Sequence, residues 1–236
     1  TKTTASEILS GLVGSEMCIR DSTSSVTAET QGHVGAKTDV VSPDSLRALV
    51  LRTQTQTNNL EEEPSSTASL VTEVIGESLP LYEDPLNDLA LGMIAPKAVG
   101  LDLLSGAEVS ITPSGKPLVV AFFAHWCPHC QREVAEITEW LASNKFPDNA
   151  DLIAVSTFED VSRGNYPPSE WLASQDWPFP VIADTSSVAV AEAYGAISVP
   201  FFVFINADGS VAKRTSGNIG PALLLQLVED LTGTSI

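Results

Sequence analysis

The chain has 236 residues, with 12 basic against 30 acidic side chains and a formal net charge of −18 at pH 7. So acidic a surface repels nucleic acid and anionic membrane and mainly serves solubility, which argues against a nucleic-acid binder. The length allows one domain of ordinary size with a long arm, and the 43% hydrophobic content supports a core in the C-terminal half.

At the N-terminus, Gly11 to Ser22 reads GLVGSEMCIRDS and has no sensible place in a fold. Leu12 to Asp21 matches the translation of a transposon adapter oligonucleotide used to prepare sequencing libraries. Residues 1–22 are therefore expected to be artefact or unrelated sequence, and Cys18 is set aside. The true N-terminus, with any signal peptide or anchor, is expected to be missing. Residues 23–90 are rich in Ser, Thr, Gln, Asn and Glu and predict a flexible, disordered linker. A short helix is expected from Ser42-Pro43, using Leu46, Val50 and Leu51. No run of 18 apolar residues occurs, so no transmembrane helix is expected in this chain.

Residues 91–236 carry the organised part. The apolar run Leu118 to Ala124 predicts a strand feeding a helix over 128–143, in which Val134, Ile137, Trp140 and Leu141 share a face. Then follow a strand at 151–157, a short helix near 169–173, a strand at 179–183 and a helix near 187–194. Strands at 200–206 and 210–215 form a hairpin across Asp208-Gly209, and a helix over 221–231 closes the chain. Strands alternating with helices imply an α/β sandwich.

Between the first strand and its helix stands Trp126-Cys127-Pro128-His129-Cys130. Thiols at i and i+3 of a first helical turn lie on one side and are close enough to close a small disulfide ring. Orphan N–H groups and the helix dipole favour a thiolate at Cys127, whose pKa in such settings falls from about 8.5 to roughly 3.5 to 7. Cys127 is thus the expected nucleophile and Cys130 the more buried, resolving thiol. Pro128 suits the first turn because it has no N–H to leave unpaired. The same spacing also supplies half of many zinc sites, but Cys18, His33, His125 and His129 form no second paired motif. An inert disulfide or two core cysteines are the other bland readings.

Downstream, Val199-Pro200 opens the apolar run Phe201 to Ile205, and X-Pro is the bond that can be cis. Together the two segments resemble the thioredoxin superfamily. Ala95-Pro96, Leu101 to Ser110, Gly115-Lys116-Pro117, Tyr194-Gly195, Asp208-Gly209 and Gly217 narrow the likeness to TlpA/ResA-type extracytoplasmic proteins, over about residues 92–234. That resemblance implies an α/β thioredoxin fold with an N-terminal β-hairpin and a central insertion. It implies a thiol-disulfide oxidoreductase in which a Cys127–Cys130 disulfide is the redox group, with no other cofactor and no metal. Trp126, Pro128 and His129 would support the site, while Val199 and Pro200 would present backbone groups to a bound peptide. The implied partners are protein thiols and disulfides and a membrane redox protein, with the chain a monomer held outside the cytoplasm by an anchor that is missing here.

Two departures bear on the chemistry. Pro128-His129 resembles the DsbA-type pair, and a protonated His129 would stabilise the reduced form and make the couple more oxidising. Ala121 stands where thioredoxin has a buried aspartate, so Cys130 lacks that proton acceptor; Glu159 and Asp160 are either substitutes or solvated loop acids. Tyr166, Trp171 and Trp177 read as core caps rather than as a substrate rim, Trp126 as a rim residue, His125 as a strand-end surface residue and His33 as incidental. The alternative from another class is a copper chaperone or metal-binding module using Cys127, Cys130 and His129. Peroxide reduction is a weaker third reading.

Overall fold

In the computed structural model of the chain, the described residues are 72–233, together with the backbone of 18–19. The short helix expected at 42–51 lies outside them. The elements are β1 (Cys18–Ile19), β2 (Glu73–Ile75), β3 (Lys97–Leu101), β4 (Glu108–Ile111), β5 (Leu118–Phe123), α1 (Pro128–Leu141) and β6 (Asp151–Ser156). There follow α2 (Pro168–Ser174), β7 (Val181–Ala183), α3 (Ala189–Ala193), β8 (Ser198–Val199), β9 (Phe201–Ile205), β10 (Val211–Ser216) and α4 (Gly220–Thr232).

The main sheet runs β10-β9-β5-β6-β7, with β5, β6 and β7 parallel and β9 and β10 antiparallel. All six residues of β5 and all five of β9 are buried. A strand covered on both faces has no use for alternation, which is why Leu118 to Phe123 is a continuous apolar run. Phe122, Phe123, Phe201 and Phe202 pack with Tyr194 and Trp177 at ring separations of 5.4–5.9 Å, offset geometries that aromatic pairs prefer.

The hairpin β3–β4 forms where the family resemblance places it, and β2 extends it to a three-stranded sheet. Its turn is tied to the main sheet by Asp102, whose carboxylate accepts the Val181 N–H at 2.8 Å and the Ser105 N–H at 3.1 Å.

The linker expected over 23–90 ends too late. From residue 72 the chain is part of the fold: β2 pairs with β3, and Leu79, Tyr82 and Ala90 are buried. The reason is that residues 77–95 form an irregular strap, anchored through backbone bonds and one ion pair, and such a strap needs few apolar residues and no periodicity. Leu79 N–H donates to Ala193 O at 2.8 Å and Tyr82 N–H to Gly195 O at 3.0 Å. Arg214 of β10 is fully buried and pairs with the buried Asp88, donating through Nε at 3.0 Å and through Nη2. Its Nη1 also donates to Pro80 O at 2.7 Å and Tyr194 O at 2.9 Å. Gly195, at φ +69°, is required here because a Cβ would lie 2.3 Å from Pro80 O.

Burial would raise the Asp88 carboxyl, but hydrogen bonds from Arg214 and the Ala90 amide, with the guanidinium charge, hold it below the usual carboxylate range. A depressed acid stabilises the fold above its unfolded value of about 3.9 and loses that contribution as pH falls through the lower folded value. Asp88→Ala leaves Arg214 buried without its partner and should cost about 3–5 kcal/mol in urea unfolding near neutral pH. The difference from the native chain should shrink as the pH falls below about 3.9.

Candidate active site

The chain leaves β5 at Phe123 and reaches Cys127 within four residues. Cys127 is the N-cap of α1, with φ −78° and ψ 119°, and Pro128 takes the first helical position. The Cys127 N–H donates to Ala124 O, and its carbonyl accepts the Gln131 N–H, both at 3.0 Å. Its Sγ lies 3.6 Å from Val199 O, and the Val199–Pro200 bond is cis. The structure thus brings Cys127, Cys130, Val199 and Pro200 together from two segments about seventy residues apart.

Both cysteines are buried. Cys127 is held in a disulfide while Cys130 is a free thiol, so the two sulfurs are not joined and the expected Cys127–Cys130 ring is open in this conformation. Cys130 Sγ is turned instead to the Ala124 amide, whose N–H it accepts at 3.5 Å. Burial pushes the Cys130 thiol up to about 12, the Ala124 N–H acting against this and the charge of Glu133 with it.

Trp126 is half-buried beside the site. Its Nε1–H donates to Phe158 O at 2.6 Å, and the Arg163 guanidinium stands 4.4 Å over its ring. His125 corrects the expectation of a surface residue, being fully buried. Its Nδ1–H donates to Gly164 O at 2.8 Å while Nε2 accepts the Asp160 N–H at 3.2 Å, partners that assign the neutral tautomer. The start of the central insertion supplies those two partners. Trp171 and Trp177 are buried in the core and Tyr166 is exposed, its ring 5.7 Å from that of His125.

Glu159 and Asp160 are loop acids. Glu159 is exposed and accepts from Ser156 Oγ at 3.2 Å, and Asp160 is held below the usual range by bonds from Ser162 and Arg163. Ala121 is buried mid-strand, opposite Ala154 and Phe202.

Two further residues escaped sequence reasoning. Glu133, one turn beyond Cys130, is buried and accepts the Ile219 and Gly220 N–H groups at 2.9 Å and Asn218 Nδ2 at 2.8 Å. It serves the open N-terminus of α4 as a carboxylate cap from a neighbouring helix. Burial raises its carboxyl against these bonds. Its signal was an acid on the apolar face of α1, at i+3 from Cys130. Asn218 carried no sequence signal. His129 is partly buried, with Nδ1 at 2.7 Å from Arg132 Nη2 and 3.1 Å from Asn218 Oδ1. Among the described residues, no group of three or more His, Cys, Asp and Glu side chains is gathered as metal ligands.

Residues 94–214, just over half the chain, match the AhpC/TSA family. The chain belongs to the AhpC/TSA family. Among curated relatives of this AhpC/TSA chain, sporulation thiol-disulfide oxidoreductase A of Bacillus subtilis is 22% identical over 134 residues, covering 57% of this chain and 78% of that protein. The thiol-disulfide oxidoreductase ResA of Bacillus thuringiensis subsp. konkukian is 25% identical over 146 residues, 61% and 80% of the two chains. A solved structure, a candidate protein disulfide isomerase from Bacteroides thetaiotaomicron, superposes with a TM-score of 0.51 at 21% identity, covering 66% of this chain and 95% of that one. The fold is thioredoxin-like, and the likeness to ResA-type proteins agrees with the resemblance carried by the motifs.

A thiol raised from 9.0 to about 12 holds roughly a thousandfold less thiolate near neutral pH. In the reduced protein Cys130 should therefore react with iodoacetamide at least ~100-fold more slowly than after unfolding in urea. Peptide mass mapping of the labelled chain checks this.

Proposed function

We propose that this thiol-disulfide oxidoreductase works through Cys127 as nucleophile and Cys130 as resolving thiol, on cysteines presented in extended protein segments. The Cys127 thiolate attacks one sulfur of a substrate disulfide, forming a mixed disulfide and releasing the other sulfur as thiolate. Cys130 then gives up its proton and attacks Cys127, closing the Cys127–Cys130 bond and releasing the second substrate thiol. The enzyme pair loses two electrons and the substrate disulfide gains them. Run in reverse, the same steps oxidise a substrate dithiol.

The observation that carries this reading is the junction of Cys127 with β8. Cys127 Sγ lies 3.6 Å from Val199 O, and β1 lies antiparallel on β8 with Cys18 opposite Val199 and Ile19 opposite Ser198. An edge that takes an extended dipeptide in this register suits strand addition by a substrate, with Val199 and Pro200 offering the backbone. The thiol-disulfide names of the relatives support the same reading, and nothing among them supports the copper-chaperone alternative. An extracytoplasmic setting with a membrane redox partner is part of the proposal, supported by the scarcity of cysteines, three in 236 residues. No helix among the described residues is long and apolar enough to cross a membrane.

Cys127→Ser should lose all insulin-disulfide reduction, and Cys130→Ser should accumulate mixed disulfides visible on non-reducing gels. A fully active Cys127→Ser protein would sink the mechanism.

A further inference from the structure

The dipeptide between the cysteines is held by a cluster that neither its own sequence nor the redox reading accounts for. Asn218 Nδ2 donates to Glu133 Oε2 at 2.8 Å and to His129 O at 3.0 Å, two oxygens that fix which way round the amide sits. Asn218 Oδ1 therefore faces Arg132 and His129. Arg132 Nη2 lies 2.7 Å from Asn218 Oδ1 and 2.7 Å from His129 Nδ1. A guanidinium nitrogen has two hydrogens and no acceptor capacity, so it donates one to each. His129 Nδ1 must then accept, which leaves the ring neutral with its proton on Nε2. The 3.1 Å approach of Nδ1 to Asn218 Oδ1 is that of two acceptors bridged by one donor group.

We infer that Arg132, in the second turn of α1 and oriented by Asn218, is a positioning residue that keeps His129 neutral and takes over from it as the positive charge nearest the Cys127-Pro128-His129-Cys130 turn. Glu133 turns its oxygens to Asn218 Nδ2 and the Ile219 and Gly220 N–H groups, and its negative charge, which also raises Cys130, opposes that of Arg132. Among the described residues, further charged groups near the turn include Glu136 on α1, which lies beside Gly220, and Arg163 over Trp126 with its partner Asp160. The source of thiolate stabilisation is thus an arginine, which stays charged at every working pH, rather than an imidazolium. This inference rests on Cys127 being the reacting thiol.

The test has two readouts. In the full-length protein with ¹⁵N-labelled histidine, the His129 ring should give the neutral Nε2–H pattern near neutral pH. Removing the charge destabilises the thiolate, and so the reduced form. Arg132→Gln should therefore slow Cys127 alkylation about 3–10-fold and shift the glutathione equilibrium about fivefold toward the oxidised protein. Arg132→Lys, which keeps the charge and a donor, should restore most of both, an outcome that a purely structural role would not give. An Nδ1–H or imidazolium pattern in the native chain overturns the inference, as does an Arg132→Gln protein within 1.5-fold of native in both measurements. If native Cys127 is not alkylated at all, the proposed function fails, while the ring spectrum still decides the tautomer.

Discussion

Burial of β5 on both faces is the constraint on which the rest of the structure depends. A strand with six buried residues lies at the middle of its sheet, and its chain emerges only at the sheet's end. There it turns at once into α1, so the first helical turn forms over the edge of the core with its N–H groups directed outward. Cys127 takes the cap position at that junction, and β8 and β9, hydrogen-bonded or stacked on the same core, bring Val199 to its sulfur.

The same junction gives the two sulfurs unlike surroundings. Cys127 is at the helix cap, beside a backbone carbonyl of an edge strand. Cys130 is one turn deeper and is met by the Ala124 amide, and the cost of charging it there exceeds what backbone N–H groups return. Glu133, one turn deeper again, is buried with three N–H donors around it, and through them α1 carries the start of α4 and the position of Asn218. Positioning of the dipeptide and capping of the last helix are therefore one cluster. A change in either should be felt by the other, because they share Asn218 and Glu133.

On the other side of Cys127, the start of the central insertion is locked by a histidine, while Trp171 and Trp177 further along it pack into the core. His125 takes its place in the core because both ring nitrogens find backbone partners in residues 160–164, and Trp126 is fixed by the Phe158 carbonyl. Strand-end position pointed to the surface for His125, since nothing local in the sequence shows that a loop thirty-five residues on will fold over it. Asp88 and Arg214 are a parallel case: separated by 126 residues, they look like ordinary solvated charges until the strap brings them together.

What the sequence determined by itself was whatever short-range physics writes into it. Continuous apolar runs marked β5 and β9, an i, i+3 cysteine pair with proline at the first helical position marked the start of α1, and Val-Pro marked the strand entry facing it. These follow from backbone geometry and burial within a few residues, and they were enough to set both cysteines at the start of α1 and to reach the fold class. Only the tertiary structure decided which charges are buried and which sulfur is turned away. It also decided where residues 72–95 belong and which group faces His129. Those outcomes depend on polar contacts between residues far apart in sequence, where pairing in the fold, rather than residue type, decides whether a charge can be buried.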